Sequence, residues 1–222
     1  MATIKSFDEL NIVVGYDRSE PYEEYFDLDW LNDEERERRI ALAYNLDEHF
    51  RPLILYLFYA ALATAEIDWE YFESAFRIEY RMALEDANFT VNDDVENRID
   101  TTAGEIRDSS EKRITSIGDM TDADLYYLSE DRLRFISENE AQDSAENEEF
   151  ITALYEGKTQ KEWISMRDNR VRQTHRIADS QVKPIMEPFE VGNSLMQFPG
   201  DSASFGADAE EIVGCRCHAR YF

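Results

Sequence analysis

From Asn32 to Glu85 the apolar positions recur at helical spacing. Ile40, Leu42, Ala43 and Leu46 form one such face. Asn32 or Asp33 is placed to cap its start, with Glu34 and Glu35 in the first turn, where the helix dipole favours acids. Pro52 reads as the first-turn proline of a second helix, carrying the apolar run Leu53–Leu62. Asp68 reads as the cap of a third, with Phe72, Ala75, Phe76, Glu79 and Ala83 on one side and Asn88 past its end. Residues 91–117 predict a long polar helix. Its seam is Val95, Ile99, Ala103, Ile106, Ser110, Ile114 and Ile117, terminated by Gly118. Thr121 opens another, with Leu125, Leu128, Leu133 and Ile136 inside; it continues through Phe150 and Leu154 towards Gly157.

After Gly157 the period changes. Pro184, Pro188 and Pro199 exclude long helices. Lys161–Met166 reads as a strand, and 187–198 as a hairpin turning at Gly192-Asn193 with Phe189, Val191, Leu195 and Phe198 buried. The fold class expected is therefore α+β: a helical N-terminal region followed by a small mixed module. The divisions are 1–30 as an irregular arm, 31–130 as the helical region and 131–222 as the module. The arm mixes Tyr and Phe with Asp and Glu around Pro21; it either docks on a partner or folds back on its own helices.

Composition narrows the function classes. A formal charge of -26 over 222 residues opposes close approach to a phosphate backbone, so non-specific DNA binding by the whole protein is not expected. Such charge also raises the possibility of disorder, but 13% aromatic residues supply enough apolar surface for a folded core. The opening Met1-Ala2-Thr3-Ile4-Lys5 is followed by no apolar signal segment, and the run from Pro52 to Ile67 is too short to span a bilayer. Two cysteines in a single Cys-x-Cys suit a reducing compartment better than a disulfide framework. Against this acidity, residues 158–183 carry seven basic and three acidic side chains. Lys158, Lys161, Arg167, Arg170, Arg172, Arg176 and Lys183 can pair with the protein's own carboxylates or meet an external anion. Arg167, Arg170, Arg172 and Arg176 are the candidate binding residues, including for local contact with DNA.

The candidate chemistry is concentrated near the C-terminus. His175, Cys215 and Cys217 are suitable zinc ligands, with Asp168, Asp201 or His218 available as a fourth. The competing reading is two small buried cysteines and a histidine bonded to an aspartate. A Cys, His175 and Asp168 could also form a nucleophile, base and orienter, although no recognisable nucleophile turn accompanies them. His49 reads as a helix-end residue. No glycine-rich phosphate loop is present.

Taken in order, Gly157, Lys161, Trp163, Asp168, Arg170, Arg172, His175, Pro184, Phe189, Val191-Gly192, Pro199-Gly200-Asp201 and Gly214-Cys215-Arg216-Cys217 resemble the phage head morphogenesis domain. This is the Mu F-like family of minor head proteins of tailed phages and prophages. The resemblance covers roughly residues 135–222; the commoner family ending has Asn where this chain has Gly214. It implies a non-enzymatic minor capsid protein of the virion, acting in capsid assembly and in DNA packaging or ejection. The implied partner is the portal protein, with the major capsid or scaffolding protein and DNA as further candidates and no membrane. The implied location is the capsid interior, after assembly in the host cytoplasm. The alternative is a zinc-dependent enzyme or nucleic-acid-binding factor built on His175, Cys215 and Cys217.

Overall fold

The computed structural model describes residues 21–222. Its helices are α1 (Pro21–Tyr25), α2 (Asp33–Ala63), α3 (Trp69–Asp86), α4 (Asp93–Glu111), α5 (Asp122–Leu125) and α6 (Glu130–Tyr155). There follow β1 (Gln160–Ile164), α7 (Gln173–Ala178), β2 (Val182–Pro184), β3 (Phe189–Val191), β4 (Ser194–Met196), α8 (Ala209–Ile212) and β5 (His218–Tyr221). The α+β class expected from the sequence is the observed one. No helix among the described residues is long and apolar enough to cross a membrane.

Two compact units are formed. One comprises the described residues through Glu24 together with Ala41–Ser137; the other comprises Tyr25–Ile40 and Glu138–Phe222. In the first, rings make the core. Phe50 stacks on Phe76 at 4.3 Å, and Tyr80 meets Phe50 edge-on at 5.5 Å. The buried Arg98 donates to the Tyr80 hydroxyl at 2.7 Å, and the Tyr22 hydroxyl donates to Asp47 at 2.8 Å. Within the stretch read as an arm, residues 1–20 lie outside the described residues. From Tyr22 on, the chain folds back: Tyr22, Phe26 and Leu28 are all buried.

Capping explains most helix starts. Asn32 accepts from the Glu35 amide, and Asp68 and Asn92 accept from Tyr71 and Val95. Thr121 and Asp124 form a reciprocal capping box. The single helix expected from Thr121 towards Gly157 is broken into α5, a 3-10 turn at Tyr126–Leu128 and α6, and three further expectations need correction. Pro52 lies inside one 31-residue helix rather than opening a second. It removes one backbone donor, but the buried face runs unbroken across it through Leu46, Phe50, Leu53, Ile54 and Leu57, and that packing outweighs the lost bond. The 91–117 helix ends at Glu111; Ile114 and Ile117 are buried from the turn that follows, and Gly118 does not terminate it. His49 sits mid-helix in α2, with Nδ1 2.7 Å from Glu79 and Nε2 3.3 Å from Asp86.

In the second unit β1 is the centre of an antiparallel sheet ordered β2-β1-β5, pairing Trp163 with Ala219 and Lys161 with Lys183. The β3–β4 hairpin turns at Gly192-Asn193 as expected. Its two-residue turn sets Phe189 opposite Met196 and Glu190 opposite Leu195. Leu195 is therefore 42% exposed, and Met196 takes the core position instead. Trp163, Ala178, Phe189, Val191, Met196, Cys215, Cys217 and Ala219 make one apolar cluster.

Candidate functional site

The motif residues converge on that cluster. Trp163 projects from β1 and meets the rings of His175 and Phe189 edge-on at 5.5 and 5.3 Å. His175, on α7, points its Nδ1 at both sulfurs: 3.4 Å to Cys217 Sγ and 3.6 Å to Cys215 Sγ. Its Nε2 lies 3.1 Å from Glu211 Oε2, which also accepts from the Thr174 hydroxyl at 2.7 Å. His175, Cys215 and Cys217 are all buried, and both cysteines are free thiols. Their ligand atoms lie within 4.8 Å of one another.

The surrounding backbone is fixed. Gly214 N donates to Asn139 at 2.6 Å, and Gln142 Nε2 donates to Cys217 O at 3.3 Å. Gly214 has φ +65°, a conformation open to glycine and, among other residues, chiefly to asparagine and aspartate. The asparagine that the resemblance leads one to expect before the Cys-x-Cys could adopt the same conformation. Gly192 has φ +61°, and a Cβ there would lie 2.4 Å from Glu211 Oε1. Nothing lies within 4 Å of a Cβ added at Gly214. Gly192→Ala is thus expected to lower stability by more than the ~1–2 kcal/mol of backbone strain that Gly214→Ala incurs. Thermal melts of the two variants test this; equal losses would refute it.

The charges in the cluster are shared unequally. A hydrogen bond from Cys217, followed by those from His175, holds the Cys215 thiol well below the usual range against the effect of burial. The same bond to Cys215, together with burial, pushes Cys217 up, so it keeps its proton. Burial works against a charged His175, but its bond to Cys215 and the thiolate charge prevail and raise it.

The other predicted residues lie elsewhere. Asp168 accepts from the Arg170 and Val171 amides and pairs with Arg216 at 2.8 Å. It is therefore not the orienter of His175; Glu211 holds that place. Asp201 is buried and accepts from the amides of Gln197, Ala203 and Ser204, shaping the Pro199-Gly200 turn. His218 stacks on Trp30 at 4.4 Å. Burial first, then Arg39 and Arg220, bring its pKa down to about 4.

Nor do the four arginines gather on one face. Arg167 and Arg176 line a cleft of about 380 Å³ together with Asp168 and Asp179. Arg167 pairs with Asp179 at 2.9 Å, and Arg176 donates to the Asp168 carbonyl. Arg170 and Arg172 flank the cysteines, where Arg172 donates to the Val213 carbonyl.

Two ionisable side chains are buried here, Lys161 from the motif and Arg39, which the sequence did not single out. Lys161 is fully buried between the rings of Phe150 and Phe189, and its Nζ donates to Gln197 O at 2.6 Å. Burial brings its pKa down to about 7, with Asp201 opposing. Arg39 is buried against Gln142, Glu146 and Glu149, at 2.7, 3.1 and 2.6 Å. Glu146 and Glu149 also lie near His218 in a metal-like grouping, but the Arg39 guanidinium supplies the cation there. Lys161 belonged to the legible motif. Arg39 and Glu146 had no signal, since one sits in a mixed Glu-Arg run and the other in an acidic one, either of which a solvated helix face also shows.

A family model described as Phage Mu protein F like protein matches residues 90–220. The match takes in the whole site and reaches upstream through α4 and α5. No curated protein and no solved structure matches the chain.

Proposed function

The chain belongs to the Phage Mu protein F-like family and is a phage head-related protein; from that premise we propose that it is a minor head protein bound to the portal on the capsid interior. There it acts in head assembly and in DNA packaging or ejection. The family match over more than half the chain is the observation that carries this reading. The charge supports it: at -26 the protein is repelled by packaged DNA and attracted to a cationic protein surface. The local basic segment does not offset that repulsion, because Arg167, Arg172, Arg176 and Lys183 are engaged by acceptors within the protein.

A non-catalytic role is the better fit to the site. His175 and both cysteines are buried in an apolar cluster and hold one another, and the cleft beside them is only about 20 Å³. That volume admits roughly one water molecule, not a substrate.

The test is co-purification with the portal oligomer of the same phage, by pull-down and native mass spectrometry. Binding at low salt that weakens as salt rises is expected for a charge-led contact. Absence of binding at low salt would overturn the reading.

A further inference from the structure

We propose that His175 Nδ1, Cys215 Sγ and Cys217 Sγ bind one zinc ion, with Glu211 as the outer partner that orients the histidine. The inference rests on the geometry of these residues and not on the assignment to the phage head.

Spacing in sequence is a poor guide here, because structural zinc sites usually separate their paired cysteines by two to four residues, where Cys215 and Cys217 are separated by one. Spacing in space is the better one. Zinc bonds of about 2.3 Å to sulfur and about 2.05 Å to nitrogen, set at tetrahedral angles, place nitrogen and sulfur about 3.5–3.6 Å apart. The two nitrogen–sulfur separations are 3.4 and 3.6 Å. Both nitrogen–sulfur edges therefore already have the length that the metal's tetrahedron requires, and the sulfur–sulfur edge is at most 4.8 Å.

The fourth ligand is where the sequence reading fails. Asp168 is held by Arg216, Asp201 by its own turn, and His218 by Trp30. None of them reaches the cluster. Glu211 does, but on the far side of the imidazole: it faces Nε2, while Nδ1 faces the sulfurs. A carboxylate accepting the second ring N–H is the usual outer partner of a metal-bound histidine, since it fixes the tautomer and the ring plane. With Nε2 protonated, Nδ1 presents its lone pair to the thiols. The Thr174 hydroxyl holds Glu211 in that position.

The remaining position opens on the small cleft beside Arg170, Arg172 and Arg216, which has room for about one water. Zinc would displace the proton that Cys217 otherwise keeps, so that two thiolates balance its divalent charge. The ion would tie α7 to the Gly214–Cys217 segment that leads into β5.

The experiment uses the full chain, equilibrated with zinc and freed of excess. Elemental analysis should find about one zinc per chain, and a strong chelator should lower the melting temperature. Cobalt(II) exchanged into the site should show thiolate-to-metal charge-transfer absorption. Glu211→Gln, which leaves all three ligands in place, should retain the site but hold zinc roughly 10–100-fold more weakly. Less than about 0.2 zinc per chain with no melting shift on chelation would overturn the proposal. So would a cobalt spectrum without thiolate bands, or thiol titration showing a Cys215–Cys217 disulfide in the protein as isolated under reducing conditions. Because chelation and cobalt exchange use the unsubstituted protein, failure of a cysteine variant to fold leaves the test intact.

Discussion

Arg39→Ala is expected to destabilise the C-terminal unit by about 3–5 kcal/mol, the usual range for removing one partner of a buried ion pair. The loss is large because of what remains. Glu146 is fully buried, and its other oxygen accepts from the Ala219 amide in β5. Burial, then the charge of Glu149, already pushes Glu146 well above the usual carboxylate range; Arg39 is the main group opposing this. Without the guanidinium, Glu146 must either stay charged in an apolar site or take up a proton. A carboxyl whose folded pKa is raised gains stability as pH falls through that pKa. The deficit of the variant should therefore be smaller at acid pH than at neutral pH. Arg39→Met combined with Glu146→Gln should recover part of the loss, since no uncompensated charge is left. Urea unfolding of the three proteins measures this, and a deficit under about 1 kcal/mol for Arg39→Ala would contradict it.

Lys161 gives the second large effect, visible as a slope against pH. Its ordinary pKa of 10.5 falls to about 7 in the folded protein, so between those values the unfolded chain holds more protons. Stability therefore rises with pH across that window and is lost as pH falls from about 10.5 to about 7. A shift of this size corresponds to something on the order of 4 kcal/mol across the window. Lys161→Met removes the titrating group. Its curve should be flatter than the parent's, and the difference between the two should grow from pH 7 to pH 10. The Gln197 carbonyl loses its donor at every pH, at a cost of about 1–3 kcal/mol, so the slope and not the offset is diagnostic. Parallel curves would show that Lys161 is not held uncharged by its surroundings.

These residues also mark where sequence reading stops. The helices were legible because capping and apolar period are local: Asp68, Thr121 and the Phe72–Ala83 face need no knowledge of the rest of the chain. The hairpin was legible from Gly192-Asn193, and only its register misplaced Leu195. Pro52 was misread because local helix propensity gave way to a packed face extending on both sides of it. The His175, Cys215 and Cys217 grouping was legible as chemistry, while Glu211 was not. Four residues before Cys215, within the acidic Asp208–Glu211 stretch, it looks like one more solvated charge. Arg39 and Glu146 are 107 residues apart. Nothing in the Arg-Glu alternation around the one, or the acidic run around the other, distinguishes a buried charge from a surface one. The same long-range pairing explains why the C-terminal unit recruits Tyr25–Ile40, a segment that the sequence reading divides between the arm and the start of the helical region.

The motif accordingly has a structural meaning. Trp163, His175, Phe189, Cys215 and Cys217 pack together, Lys161 and Asp201 meet at Gln197, and Asp168 secures Arg216. These family positions build the unit.

The most direct measurement is the amount of this protein in purified heads of its own phage, assembled with and without the portal. The account predicts a fixed number of copies in portal-containing heads and their loss when the portal is omitted. Equal incorporation without the portal, or absence from heads of both kinds, would contradict it.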